Sequence, residues 1–167
     1  KAIIRAVWQN LTSDSLQGAS TITQQFIKKS ILSDERTFTR KIKEAILALE
    51  LERRYSKDEI LNFYLNQIPY GSNAYGIEAA SQTYFAKDAK DLSLAESALI
   101  AALPKAPSYY SPYGNHRKEL ISRQKLILEK MRELNYITQK DYDRARNETL
   151  NFAKVRSSIQ APHFVFY

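Results

Sequence analysis

Between about residues 35 and 54 the sequence ERTFTRKIKEAILALELERR has a helical period, and its C-terminal half is apolar nearly all round. Phe38, Ile42, Ala45 and Leu49 fall on one face at core-stripe spacing, while Leu47 and Leu51 fall on the opposite face. A helix of this kind is expected to bury more than one face. It is expected to pass through the centre of a domain, with other helices packed around it. Ser33 or Asp34 is the expected N-cap, because either oxygen can accept from the unpaired first amides.

The rest of the chain supplies those neighbours. Only 4 Gly and 5 Pro occur in 167 residues, so breakers are rare and helices are favoured. Ser56-Lys57-Asp58-Glu59 and Ser93-Leu94-Ala95-Glu96 are capping boxes, in which serine and glutamate each serve a free amide of the other's end. They predict helices over about 57–66 and 94–103, the second stopped by Pro104. Further helices are expected over about 2–11, 20–31, 76–85 and 138–148, and on the apolar stripe Leu120, Ile127, Met131 and Leu134. Residues 70–73 read as a turn, 104–115 as a well-packed loop rich in proline and tyrosine, and 161–167 as strand-like. The expected class is all-α, one domain able to bury roughly 70% of its unfolded surface.

Cysteine is absent, which excludes disulfides, thiolate metal sites and cysteine nucleophiles. The net charge of +7 points to an anionic partner: nucleic acid, anionic lipid or a phosphorylated substrate. No run of about 18 apolar residues occurs. Lys1 opens directly into a helical pattern, and the last residues end without a stop signal, so the natural chain is expected to continue at both ends.

Arg40 and Glu44 share the face that carries Leu47. Spaced four apart, they can form an ordinary surface pair, contributing about 0.3–0.5 kcal/mol. The alternative rests on density, since Arg36, Arg40, Lys41 and Lys43 accompany Glu44 within one short stretch. Cations crowded round a carboxylate at the edge of a core are costly unless an anion occupies the site. Upstream, 18–29 (GASTITQQFIKK) sets hydroxyls and amides at a helix N-terminus, where anions are favoured, with lysines two turns on. It is also an ordinary polar N-cap, and it is not a GxxxxGK[ST] phosphate loop.

Five stretches in order, 18–29 (GASTITQQFIKK), 40–52 (RKIKEAILALELE), 55–71 (YSKDEILNFYLNQIPYG), 75–85 (YGIEAASQTYF) and 123–131 (RQKLILEKM), resemble the glycosyltransferase domain of class A penicillin-binding proteins. That family polymerises lipid II into glycan strands. The resemblance implies a lysozyme-like helical fold with a large lobe and a smaller membrane-apposed lobe, in which Ile3, Ile4, Val7, Trp8 and Leu11 fall in or near the small lobe. It places a glycosyltransferase domain at 1–155 and the start of a linker toward a transpeptidase domain at 156–167.

The implied reaction is inverting and releases undecaprenyl pyrophosphate. By the same resemblance Lys28, Arg36, Arg40 and Lys43 hold the pyrophosphates or neighbouring sugars, and Ser20, Gln24 and Gln25 contact sugar or phosphate. Lys57 is a weaker binding candidate. Glu44 matches the second acidic residue, organising cations or a divalent metal, Mg or Mn, around the donor phosphates; no organic cofactor is implied. The family's first motif, with its general-base glutamate, normally stands just before Lys1, so these residues alone are expected to bind without turnover. Lys29 replaces the usual Asn or Asp after the motif lysine, which leaves Lys28 and Lys29 both open for the phosphate.

Implied partners are lipid II, the growing strand, the membrane surface and other cell-wall synthesis proteins. The implied location is the extracytoplasmic face of the cytoplasmic membrane, anchored by a helix outside this chain. A nucleic-acid binder would need an uninterrupted basic stripe, whereas Glu50, Glu52, Asp58 and Glu59 break this one. A lysozyme-like hydrolase would need paired carboxylates across a neutral cleft rather than clustered cations.

Overall fold

A computed structural model describes residues 21–30 and 37–154. The expectations for 2–11 and 161–167, and for the side chains of Ser20 and Arg36, lie outside them. The described chain is helical apart from one small ribbon, and it divides into two compact units, 1–68 and 69–167.

In the first unit α1 (Ile22–Ser30), α2 (Phe38–Arg54) and α3 (Lys57–Gln67) pack about Ile27, Ala48 and Ile60, all buried. Phe63 of α3 stacks on Phe26 and takes Tyr55 edge-on, joining α1 to the α2–α3 corner. The Ser56–Glu59 capping box forms as the sequence predicts. The N-cap of α2 differs from expectation: it is Thr37, extended at φ −115°, whose hydroxyl accepts from the Arg40 amide at 3.2 Å. Thr37 sits directly before the first helical turn, where a cap must be to reach the third amide.

The buried face of α2 also differs. Ile42 and Leu49 of the expected core stripe are 47% and 70% exposed, and Ile46 lies beside them, whereas Glu44 and Ala48 are buried. Helical period fixes which residues share a face; which face is covered depends on the partners, and Thr23 of α1 meets α2 at Glu52, one turn beyond Ala48.

The second unit opens with β1 (Pro69–Gly71) paired antiparallel to β2 (Ala74–Tyr75). Ser72 and Asn73 between them both adopt positive φ, 50° and 58°, the backbone of a tight hairpin turn. Gly71 has φ +90°, and a Cβ there would stand 2.8 Å from the Pro107 carbonyl oxygen. The ribbon then feeds α4 (Ile77–Phe85), a 3-10 turn (Ala89–Asp91), α5 (Leu94–Ala102), a second 3-10 turn (Leu103–Lys105), α6 (Arg117–Glu133) and α7 (Gln139–Asn147).

Helix α5 is the hub of this unit. Leu99, Ile100 and Leu103 are fully buried with Leu120 and Leu128 of α6, and Tyr142 and Ala145 of α7 close the far side. Two α6 side chains serve backbone carbonyls: buried Gln124 donates to that of Ala95 at 3.0 Å, and Arg123 donates to that of Ala102 at 3.1 Å. The loop after Pro104 is anchored as expected, with the Tyr113 hydroxyl donating to the Ala153 carbonyl at 2.8 Å.

Candidate anion-binding site

Three residues of α2 make one electrostatic unit. Glu44 is 1% exposed, yet it is a carboxylate, and an unpaired buried charge costs several kcal/mol. Lys41, one turn earlier, donates through Nζ to Glu44 Oε2 at 2.9 Å. Arg40 Nε lies 3.2 Å from Oε1, close enough for an ion pair but out of line for a hydrogen bond. Oε1 is therefore buried without accepting a hydrogen bond among the described residues. Buried carboxylate oxygens rarely stay so, which leaves this atom suited to a donor brought by a ligand.

The helix dictates which cations belong. At about 100° per residue, Arg40, Lys41 and Glu44 fall on one side, whereas Lys43 points roughly 100° away from Glu44. Lys43 is exposed, and among the described residues it joins no ion pair. Lys41, which the sequence places in the basic cluster without a binding role of its own, is thus a direct partner of Glu44, as its three-residue spacing allows.

Helix α1 brings the second group of side chains. Thr21 and Gln24 form a reciprocal cap: the Thr21 hydroxyl accepts from the Gln24 amide at 3.2 Å, and Gln24 Oε1 accepts from the Thr21 amide at 3.3 Å. Gln24 is thereby turned back upon its own helix end. Gln25 faces α3, where its side-chain oxygen accepts from the Tyr64 hydroxyl at 3.4 Å. Burial pushes the Tyr64 phenol above its ordinary range. Lys28 and Lys29 are exposed in the last turn of α1.

The Thr23 hydroxyl donates to Glu52 Oε1 at 2.7 Å, tying the start of α1 to the end of α2. Lys28 follows Thr23 on the same helix, rather more than one turn further on. Lys57 stands exposed at the first position of α3, and Asn66 donates to Asn62 within its own helix. Ser20 and Arg36 fall outside the described residues.

These side chains do not fit a metal ion held by the protein alone. Among the described residues no group of three His, Cys, Asp or Glu gathers, and the one carboxylate at the site is already matched by two cations. What the arrangement offers is positive charge beside a buried acceptor.

A Transglycosylase family model matches residues 1–132. Penicillin-binding protein 1A of Aquifex aeolicus is 49% identical over 154 residues, covering 92% of this chain, and that of Neisseria lactamica is 51% identical over 158 residues, covering 94%. The chain spans about a fifth of the length of these relatives, 21% and 20% respectively. Among solved structures, penicillin-binding protein 1A of Haemophilus influenzae superposes with a TM-score of 0.52 at 32% identity, over 85% of this chain and 18% of its own.

Proposed function

Because the chain belongs to the transglycosylase family, we propose that it is the peptidoglycan glycosyltransferase part of a larger cell-wall enzyme, joining lipid-linked disaccharides into β-1,4 glycan. The observation that carries this reading is the buried Glu44 carboxylate ordered by Arg40 and Lys41, with Lys28 on the helix packed alongside.

In the proposed reaction the acceptor sugar hydroxyl attacks the anomeric carbon of the donor. The bond from that carbon to the diphosphate oxygen breaks, and undecaprenyl diphosphate leaves with the bonding pair. The departing group gains negative charge, and prearranged cations are the stabilisation such a step needs. Arg40, Lys41 and Lys28 supply it, and Glu44 holds the first two in place. Glu44 Oε1 accepts from a substrate hydroxyl or amide. The hydroxyl proton is assigned to a carboxylate preceding Lys1, and a divalent cation such as Mg or Mn arrives only as the counter-ion of the diphosphate. Residues 156–167 lead toward a further domain.

Among the described residues no helix is long and apolar enough to cross a membrane. We assign the lipid substrate to the extracytoplasmic face of the cytoplasmic membrane, with the anchor outside this chain.

The test compares polymerisation of lipid II by residues 1–167 with that by the chain extended through its natural preceding sequence. The extended form should make polymer, and 1–167 should bind lipid diphosphate without turnover. A folded extended form that makes no polymer with lipid and divalent metal present overturns the assignment.

A further inference from the structure

Helix α1 has 9 residues, too few to hold its own conformation in water, so its orientation must come from what it touches. Apolar contact through Ile27 and Phe26 fixes its depth. It does less to fix rotation about the helix axis, because such contact is not directional. Two side-chain hydrogen bonds are directional. Thr23, only 6% exposed, donates to Glu52 of α2 at 2.7 Å, and Gln25 accepts from Tyr64 of α3 at 3.4 Å. Thr23 and Gln25 are two positions apart, hence roughly 200° around the axis, and the bonds grip opposite flanks. Gln24 and Lys28 lie on the arc between them.

Glu52 is the less expected member of this pair of contacts. It is exposed and followed by Arg53 and Arg54, yet Arg54 pairs with Glu50, and the Glu52 carboxylate turns inward to the threonine. An ionised acceptor makes that hydrogen bond a strong one. We propose that Glu52, acting through Thr23, is a positioning residue that sets the roll of α1 and so aims Lys28 at the diphosphate. This rests on the glycosyltransferase reading above. Glu52 does not touch substrate.

The experiment measures KM and kcat for lipid II polymerisation in the longest natural form of the protein. It uses Glu52→Ala, Glu52→Gln, Thr23→Val, Thr23→Ser and the double variant Glu52→Ala/Thr23→Val, with Lys28→Ala in parallel and thermal melts to confirm folding. Glu52→Ala and Thr23→Val should each raise KM about tenfold with kcat nearly unchanged, the scale of one charge-assisted hydrogen bond. Glu52→Gln and Thr23→Ser, which keep an acceptor and a donor, should return KM to within about twofold, and the double variant should be no worse than either single.

Losses that add, or an unchanged KM in folded Glu52→Ala, overturn the proposal. If Thr23→Val fails to fold, the Glu52→Ala and Glu52→Gln pair decides it, since that side chain is exposed. Lys28→Ala separates the two levels. An effect there with none at Glu52 removes only the positioning role, whereas no effect at Lys28 removes the diphosphate reading and this proposal with it.

Discussion

Lys41 reaches back across one turn of α2 and donates through Nζ to Glu44 Oε2 at 2.9 Å, so a 40% exposed lysine side chain ends on a carboxylate that is 2% exposed. The pair forms a bridge from solvent to core, and the second carboxylate oxygen faces Arg40 at 3.2 Å. Two cations thus converge on one buried anion, an arrangement that a plain surface ion pair would not provide.

Removing Arg40 should therefore affect folding as well as binding. Breaking a buried pair from one side costs about 3–5 kcal/mol, and Lys41 remains to compensate part of it. Arg40→Ala is expected to lose about 2 kcal/mol in urea denaturation, with Lys41→Ala losing less because its side chain is more exposed.

The hairpin offers a separate test of backbone geometry. Gly71→Ala places a Cβ 2.8 Å from the Pro107 carbonyl oxygen and 3.0 Å from the Tyr84 hydroxyl, at a φ of +90°. Strain and contact together should destabilise the protein by about 2–3 kcal/mol, read as a lowered melting temperature.

Acid stability should depend on the helix caps. The Thr138 hydroxyl beside Asp141 holds its carboxyl below the usual range, as the Ser56 amide and hydroxyl do for Glu59. A carboxyl lowered in the folded state contributes stability above its unfolded pKa, and that contribution is lost as pH falls through the folded value. Thr138→Ala should thus melt below the parent at pH 6, and the gap should narrow as pH drops below about 4. Melting curves at both pH values check the sign.

What the sequence made legible was what local pattern controls. Ser56 with Glu59, and Ser93 with Glu96, name the starts of α3 and α5, because a capping box is completed within four residues. The stripe of Leu120, Ile127 and Met131 likewise marks α6, while Leu134, predicted with them, stands exposed at its C-cap. The ribbon escaped because its strands are 3 and 2 residues long, too short to show alternation. Thr21 and Gln24 carry the threonine-to-glutamine signature of a capping box, and their two reciprocal bonds complete it.

At the site, the grouping of Arg40 with Glu44 was visible in a four-residue spacing, and the membership of Lys41 in a three-residue one. The Thr23–Glu52 bond joins residues 29 apart, and nothing in either local pattern encodes it. Nor could periodicity tell that the Ile42–Leu49 face would be exposed while Glu44 was buried. Helical spacing sorts side chains into faces, and tertiary packing chooses among them.

The central claim is that Lys28 and Lys41 receive a diphosphate beside Glu44. The most direct measurement is the affinity of a polyprenyl diphosphate, titrated calorimetrically in detergent into the parent, Lys28→Ala, Lys41→Ala and the exposed control Lys140→Ala. Each of the first two variants should bind about tenfold more weakly than the parent, with a reduced salt dependence, while Lys140→Ala should bind as the parent does. Equal affinities across all four proteins would contradict it.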